Sequence, residues 1–311
     1  MKRLKLAALA AALAAVLSGC GTQASAPTPE PTPIATDSPA EIYSYDGYAA
    51  REEYPLDEAS LENAVTRLRS VYDSYLADTG SRVYLSVIPD KNYFLADAAG
   101  KRSLDYDYLV SYMRGGMDYA EYIDLFPYLE LEDYYRTDLH WSQDRIADAA
   151  AALLAGMDAG KTGEFEVVDT GAVLSGVYAE ETGLEPDEIR ILESETIQSC
   201  TAYNFESASS CEIYDMQAAF GEHPYDMFLG GSLSIVSVEN PQAETDRELI
   251  IFRDSFASSI APLLVDGYAR ITLVDIRYVA GSLLGRFVDF HGQDVLFLYS
   301  VPVLNNSITM K

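Results

Sequence analysis

The C-terminal third of the chain constrains the fold most, because strand-like and helix-like segments alternate there. Apolar runs typical of buried strands occupy residues 248–252, 270–275 and 295–300. The intervening residues 258–264 and 281–290 have a helical character. Strands that alternate with helices form parallel sheets through right-handed crossovers. The pattern therefore predicts an α/β domain with a mostly parallel central sheet.

The preceding residues fit the same architecture. A mostly apolar strand is predicted at residues 83–88. It is followed by Pro89-Asp90-Lys91-Asn92-Tyr93, at the edge where open α/β sheets usually place ligands. Residues 164–237 contain short strands and turns without a clear period. Apolar residues at helical spacing predict further helices at residues 56–76, 104–113 and 142–157, the last of them capped by Ser142.

Residues 1–20 have the pattern of a secretory signal. Three basic residues within the first five positions precede an apolar run at residues 6–17. The segment ends in Leu17-Ser18-Gly19-Cys20, which resembles the bacterial lipobox and implies that Cys20 carries a lipid. The alternative is an ordinary cleaved signal with an incidental cysteine. The first interpretation predicts an exported protein that is lipid-anchored to the outer face of the bacterial membrane, with no other membrane contact.

A proline-rich tether is predicted at residues 21–40. Proline alternates there with Thr, Ala, Ser and Glu, a composition that favours an extended, semi-rigid spacer. The folded part then begins at about residue 41. Length alone allows either one large α/β domain or two smaller ones in the residues that remain.

The charge of the chain narrows the choice of partners. The net charge is −28, and it becomes −31 once Lys2, Arg3 and Lys5 of the signal are removed. Nucleic acid is excluded as an expected partner, because phosphate binding needs clustered cations. A polyanionic substrate is also repelled at long range unless local arginines override the field.

Cys200 and Cys211 remain if Cys20 is lipidated. An even pair that is close in sequence, in an oxidising compartment, predicts a disulfide that closes a short loop. The alternative is two unpaired thiols. The cysteines are too few for a zinc site, and no metal or organic cofactor is expected.

Asp138, His140 and Ser255 supply the three chemical types of a Ser-His-Asp triad. Asp138 and His140 are two residues apart in a segment that enters a helix, so in extended backbone both side chains point to one side. Ser255 follows a predicted strand and begins a predicted helix. A histidine base activates a serine hydroxyl, and a carboxylate on the other ring nitrogen fixes the tautomer. The alternatives are a helix-capping serine and a structural histidine.

Four further residues are candidates around this centre. Gly231, in an apolar run that ends in a glycine pair, and the Ser232 hydroxyl are predicted to complete an oxyanion hole with the Ser255 amide. A tight turn at the glycine pair is the alternative. Arg136 and Arg253 flank the two motifs, and they either hold a carboxylated substrate or pair with neighbouring aspartates.

Asp138-Leu139-His140-Trp141 resembles the signature of the exported bacterial DHHW family, which is related to the SGNH-hydrolase-like alginate O-acetyltransferase proteins. The stretches 89–93, 225–231 and 253–257 resemble further motifs of this family and occur in the family's order. Leu139 stands where the naming motif has a histidine, and Ser232 where an asparagine-like oxyanion donor is expected. The resemblance implies a three-layer SGNH-like fold over residues 41–311.

The resemblance also implies acyl-ester chemistry on a cell-envelope or secreted polysaccharide. The expected activity is O-acetyl transfer through an acetyl-serine at Ser255, with His140 as base and then acid and with Asp138 as its orienter. A membrane partner would hand over the acyl group. The alternatives are a carbohydrate acetylesterase, because water competes with a sugar hydroxyl for the same acyl-enzyme, and a non-catalytic glycan-binding lipoprotein.

Overall fold

A computed structural model describes residues 40–311 of the chain. The signal segment 1–20 with Cys20, and the tether 21–40 except its last residue, lie outside the described residues. The described residues belong to one compact unit. None of its helices is both long and apolar enough to cross a membrane.

The elements of residues 40–311 are numbered in chain order. The strands are β1 Ile42–Tyr45, β2 Tyr48–Arg51, β3 Val83–Ile88, β4 Glu121–Tyr122, β5 Glu166–Leu174, β6 Asp187–Glu193, β7 Thr201–Asn204, β8 Ser209–Cys211, β9 Ile235–Glu239, β10 Glu248–Arg253, β11 Arg270–Val274 and β12 Asp294–Ser300. The α-helices are α1 Glu58–Val71, α2 Lys91–Ala99, α3 Tyr106–Gly116, α4 Ala147–Gly156, α5 Ala179–Thr182, α6 Glu195–Ser199, α7 Met216–Ala219, α8 Phe256–Ile260 and α9 Val301–Asn305. A π-helical turn, Tyr72–Leu76, extends α1, and short 3-10 turns fill several of the connections.

An eight-stranded sheet organises the domain, in the order β4-β3-β12-β10-β11-β9-β7-β8. The first five strands in this order, from β4 to β11, run parallel to one another. β9, β7 and β8 extend the sheet with antiparallel pairing. The predicted α/β architecture with a mostly parallel sheet is confirmed, and the carboxyl ends of the five parallel strands share one edge.

Both faces of the parallel part of the sheet are covered. Leu249 and Ile251 of β10 pack in one apolar cluster, together with the buried residues of α4. Ile250 and Phe252 pack in another cluster, together with the buried residues of α1 and α3. Successive side chains of a strand point to opposite faces, which explains why the central strands are apolar throughout.

Several local features differ from the sequence-based expectations. The described residues begin with an antiparallel hairpin, β1–β2, whose turn residues Asp46 and Gly47 have φ angles of 49° and 81°. This Asp-Gly turn is a recognised hairpin signal. Ser142 caps no helix, because its hydroxyl donates to Asp144 at 2.5 Å and a 3-10 turn, Gln143–Arg145, separates it from α4. The helical segment predicted from residue 258 begins earlier, at Phe256, and continues as a 3-10 turn over Ala261–Gly267.

The predicted disulfide is not present, and both cysteines are free thiols. Cys200 follows α6, and its Sγ donates to the carbonyl of Thr196 at 3.2 Å. Cys211 lies in β8 opposite Ala202 of β7, and Ala202 is two residues after Cys200 in the chain. Both side chains pack against the larger apolar cluster. Burial raises the pKa of the Cys200 thiol to about 11 and also raises that of Cys211, which disfavours the reactive thiolates.

Candidate active site

Ser255 is held at the carboxyl end of the central strand β10. Asp254 is fully buried, and one of its carboxylate oxygens accepts the backbone N–H and the hydroxyl of Ser300, both at 2.7 Å. The other oxygen accepts the Phe256 amide at 3.1 Å. Asp254 thus ties the end of β10 to the end of β12 and to the first turn of α8. Ser255 lies on this anchored turn and is partly exposed.

The segment with Asp138 and His140 is a closed loop rather than extended backbone. An antiparallel bridge joins Tyr134 to Trp141, and the Tyr135 amide donates to the His140 carbonyl at 3.1 Å. The Trp141 indole is fully buried and donates to the Ser259 hydroxyl at 2.7 Å. The expectation of an extended segment is therefore wrong. The two side chains still meet, because the loop folds one towards the other.

The structure brings the three predicted triad residues together. His140 Nε2 is 2.7 Å from Ser255 Oγ, and His140 Nδ1 is 2.6 Å from Asp138 Oδ1. Only 12% of the His140 side chain and 5% of the Asp138 side chain are exposed, so the pair is shielded from water while Ser255 remains reachable. With the Nδ1 proton directed at the carboxylate, Nε2 is free to accept the serine proton.

The carboxylate of Asp138 is held in its ionised form. Burial alone would raise its pKa, but the attraction of His140 and the hydrogen bonds that Asp138 accepts lower it to about 2. Those bonds come from the ring and the amide of His140 and from the Val177 amide at 3.1 Å. Asp138 is therefore a fixed negative charge that stabilises a protonated His140.

Two residues outside the motif, Lys91 and Asp187, bind the backbone of the loop that carries Asp138 and His140. The Lys91 ammonium is buried and donates to the carbonyls of Tyr135 at 2.7 Å and Arg136 at 3.0 Å. Burial lowers its pKa to about 7. Asp187, in β6, accepts the Thr137 amide at 2.9 Å and its hydroxyl at 2.5 Å. Lys91 lies in the stretch 89–93 that the sequence marked, whereas nothing in the sequence marked Asp187.

Gly176 and Tyr225 complete the walls of the site. A Cβ at Gly176 would lie 2.4 Å from backbone atoms of Thr137, so only glycine allows the chain to approach this closely and place the Val177 amide against Asp138. The Tyr225 ring stacks on the His140 ring with centroids 3.8 Å apart, and its hydroxyl is 2.8 Å from the Ser259 hydroxyl. Tyr225 belongs to the stretch 225–231, which gave a sequence signal without indicating this role.

The oxyanion hole differs from the prediction. The Gly231 amide donates to the Phe228 carbonyl at 3.0 Å, so it is not directed at a substrate. Gly231 has a φ of +69°, and a Cβ there would lie 2.0 Å from Asp226 Oδ1, which makes it a tight-turn glycine. Ser232 is exposed, and its role stays a prediction. The Ser255 amide makes no hydrogen bond within residues 40–311 and is the donor best suited to an oxyanion.

Both arginines contact other groups of the protein. Arg253 is fully buried, and its guanidinium donates to the carbonyls of Gly231 at 3.1 Å and Leu233 at 3.0 Å. It therefore shapes the glycine turn from inside the protein. Arg136 forms an ion pair with Asp187 at 3.1 Å, which is the alternative that the sequence left open.

The site geometry and the fold together define a class of protein: an α/β domain with a serine, histidine and aspartate in contact at the carboxyl edge of a mostly parallel sheet. Among residues 40–311, no group of three or more His, Cys, Asp or Glu side chains is placed to hold a metal ion. No family model matches the chain, and no curated protein matches it either.

Solved structures with the same fold exist. A DHHW family protein from Eubacterium siraeum has a TM-score of 0.67 at 19% identity, over 86% of this chain and 93% of that one. PatB1 of Bacillus cereus, in a structure with a sulfonyl adduct, has a TM-score of 0.64 at 15% identity, over 85% and 96%. The O-acetyltransferase domain of Pseudomonas putida AlgJ has a TM-score of 0.52 at 14% identity, over 86% and 92%. The expected resemblance to DHHW and alginate O-acetyltransferase-like proteins is confirmed at the level of the fold.

Proposed function

We propose that this protein transfers acetyl groups to the hydroxyls of a polysaccharide through an acetyl-serine at Ser255. One observation carries the proposal: His140 Nε2 is 2.7 Å from Ser255 Oγ while its Nδ1 contacts the ionised Asp138. A serine with this arrangement has a base for its proton and a carboxylate for the resulting imidazolium. The resemblance in fold to an O-acetyltransferase domain supports the same chemistry, and on this basis we also propose the three-layer SGNH-like arrangement.

The reaction proceeds in two halves. Ser255 Oγ attacks the acetyl carbonyl of a donor ester, and its proton passes to His140 Nε2. The Ser255 amide stabilises the oxyanion, and His140 protonates the departing alcohol as the donor ester bond breaks. In the second half, His140 takes the proton of a sugar hydroxyl, which attacks the acetyl-serine. Collapse of the second tetrahedral intermediate forms the sugar ester, and His140 returns the proton to Ser255.

The proposal is tested with the soluble domain, a chromogenic acetyl ester as donor and a neutral oligosaccharide as acceptor. We expect a burst of released chromophore and an intact-mass increase of one acetyl group, mapped to Ser255 by peptide sequencing. Addition of the acceptor is expected to divert the acetyl group from water to the sugar, so that acetylated sugar forms in place of free acetate. Turnover to acetate that no acceptor changes would instead identify an esterase, and the absence of an adduct would favour a non-catalytic glycan-binding protein.

We also propose that the domain is exported and held at the outer face of the membrane by a lipid on Cys20, where a membrane partner supplies the acyl group. The basis is the sequence of residues 1–20 and the proline-rich residues 21–40. The full chain is expected in the membrane fraction of a bacterial host. A Cys20→Ser variant is expected to lose the lipid mass and to leave the membrane fraction after extraction at high salt. Retention of the variant in the membrane without the lipid would contradict this anchoring.

A further inference from the structure

A second concave site lies beside the triad, at the same edge of the sheet. Its cavity has a volume of about 470 Å³ and is lined by aromatic rings from four elements: Tyr93 of α2, Tyr106 of α3, Tyr122 of β4 and Phe126 of the turn after β4. Volumes of this size are typical of ligand sites. None of these residues takes part in the chemistry described above.

The aromatic rings form a fixed wall. The Tyr93 ring packs edge-on against Phe126 at 5.0 Å and against Tyr106 at 4.9 Å between centroids. The Tyr106 hydroxyl donates to the buried Asp90 at 2.5 Å, which anchors the wall to the start of α2. Tyr93 nevertheless exposes 43% of its surface. A rigid ring with an open surface offers an apolar partner for the flat face of a sugar at low entropic cost.

Polar groups occupy the remainder of the lining. Arg114 lies over the Tyr122 ring at 5.0 Å and has no ion-pair partner within residues 40–311. Asp107 and Asp124 are on the same lining. A guanidinium donates hydrogen bonds and carboxylates accept them, so sugar hydroxyls find both kinds of partner here.

The charges of this lining indicate the class of glycan. One arginine and two aspartates leave a small negative excess, on a chain whose net charge is −28. A polyuronate or a phosphate-bearing polymer would be repelled by both the lining and the whole molecule. The cavity therefore fits a chain of uncharged pyranose units.

The position of the cavity connects it to Ser255. Tyr93 follows β3 in the chain, and Phe126 follows β4. Both strands are parallel to β10, so the carboxyl ends of all three lie at one edge of the sheet. Three interstrand spacings of about 4.8 Å separate β4 from β10, so the ends of these two strands are roughly 14 Å apart across the sheet. Lys91, in the same first turn as Tyr93, contacts the loop that bears His140. An extended oligosaccharide can therefore follow this edge from the cavity to the serine.

We propose that the cavity lined by Tyr93, Phe126 and Arg114 is a subsite that holds an uncharged polysaccharide chain while a neighbouring sugar hydroxyl is presented to the acetyl-serine. The identification of this polysaccharide as the acetyl acceptor rests on the proposed function, whereas glycan binding at the cavity does not.

The test measures binding and acyl chemistry separately. Chitohexaose and cellohexaose are titrated as neutral probes, and polymannuronate serves as the anionic probe. We expect at least one neutral hexasaccharide to bind the wild-type domain and polymannuronate to bind more weakly. Tyr93→Ala is expected to raise the Kd about tenfold. The matched control is Tyr128→Ala, because Tyr128 is on the same 3-10 turn as Phe126 and is 50% exposed but is not part of the lining.

A second variant removes the ambiguity of a folding defect. Ser111→Trp places a bulky ring at an exposed position of the lining and leaves the aromatic wall intact. It is expected to abolish binding while acetylation of Ser255 by the small chromogenic ester stays within about twofold of wild type. Equal binding in wild type and Ser111→Trp, or tighter binding of polymannuronate, would overturn the subsite. Glycan binding that depends on Tyr93 in a protein with no Ser255 adduct would support the subsite and refute acetyl transfer.

Discussion

Ser255→Ala is expected to eliminate the acetyl adduct and to lower turnover of a chromogenic acetyl ester by at least about 10⁴-fold. The reason is that Ser255 Oγ is the hydroxyl in contact with His140 Nε2, so its removal leaves the base without a nucleophile. Fold stability should change little, because this is the one side-chain hydrogen bond of Ser255 within residues 40–311. The measurement combines burst amplitude with intact-mass spectra before and after addition of the ester.

The matched control for this prediction is Ser282→Ala. Ser282 is exposed on the turn Gly281–Arg286, and its hydroxyl makes no hydrogen bond within the described residues. It tests whether the ester acetylates accessible serines at random. If Ser255→Ala retains the burst and the adduct, or if Ser282→Ala loses them, the acetyl group is not carried by Ser255 and the proposed two-step transfer is wrong.

The parallel core of the fold was predictable because its signal is local and strong. β10, β11 and β12 are apolar runs with both faces buried, and such runs are recognisable without any knowledge of tertiary contacts. β7 and β8 gave no such signal, because they are three or four residues long and mostly exposed. β7 forms a strand because it pairs with β9, and β8 because it pairs with β7. The pairing with β9 depends on contacts between residues distant in sequence.

The chemical types at the site were predictable for a different reason. The chain has three histidines, and one of them precedes its single tryptophan in a motif with an aspartate two residues away. What the sequence did not indicate is how backbone groups are used. The Gly231 amide donates to the Phe228 carbonyl, and Arg253 is buried against backbone carbonyls. Both contacts depend on the tertiary fold. An arginine after a buried strand gives no sign of whether it turns inward or towards a substrate.

Asp138→Asn is expected to lower turnover of the acetyl ester by about 10³- to 10⁴-fold with little change in the shape of the site. An amide in place of the carboxylate can turn its NH₂ towards His140 Nδ1. The ring proton would then move to Nε2, which could no longer accept the proton of Ser255. The imidazolium would also lose the charge that stabilises it. The matched control is Asp144→Asn, which neutralises a nearby carboxylate that contacts Ser142 instead of His140. Retention of more than about a tenth of the wild-type turnover would exclude Asp138 as the orienter.

The same variant has an expected effect on stability, and its pH dependence has a definite sign. The pKa of Asp138 is about 2 in the folded protein, whereas an aspartate that makes no such contacts has a pKa of 3.8. The ionised carboxylate therefore favours the folded state. That contribution, about 2 kcal/mol, is present above the unfolded pKa and is lost as the pH falls through the folded pKa. Urea unfolding should therefore show Asp138→Asn to be less stable than wild type near neutral pH, with the difference shrinking below about pH 4. A difference in unfolding free energy that is constant from neutral to acidic pH would mean that Asp138 is not held as the ionised partner of His140.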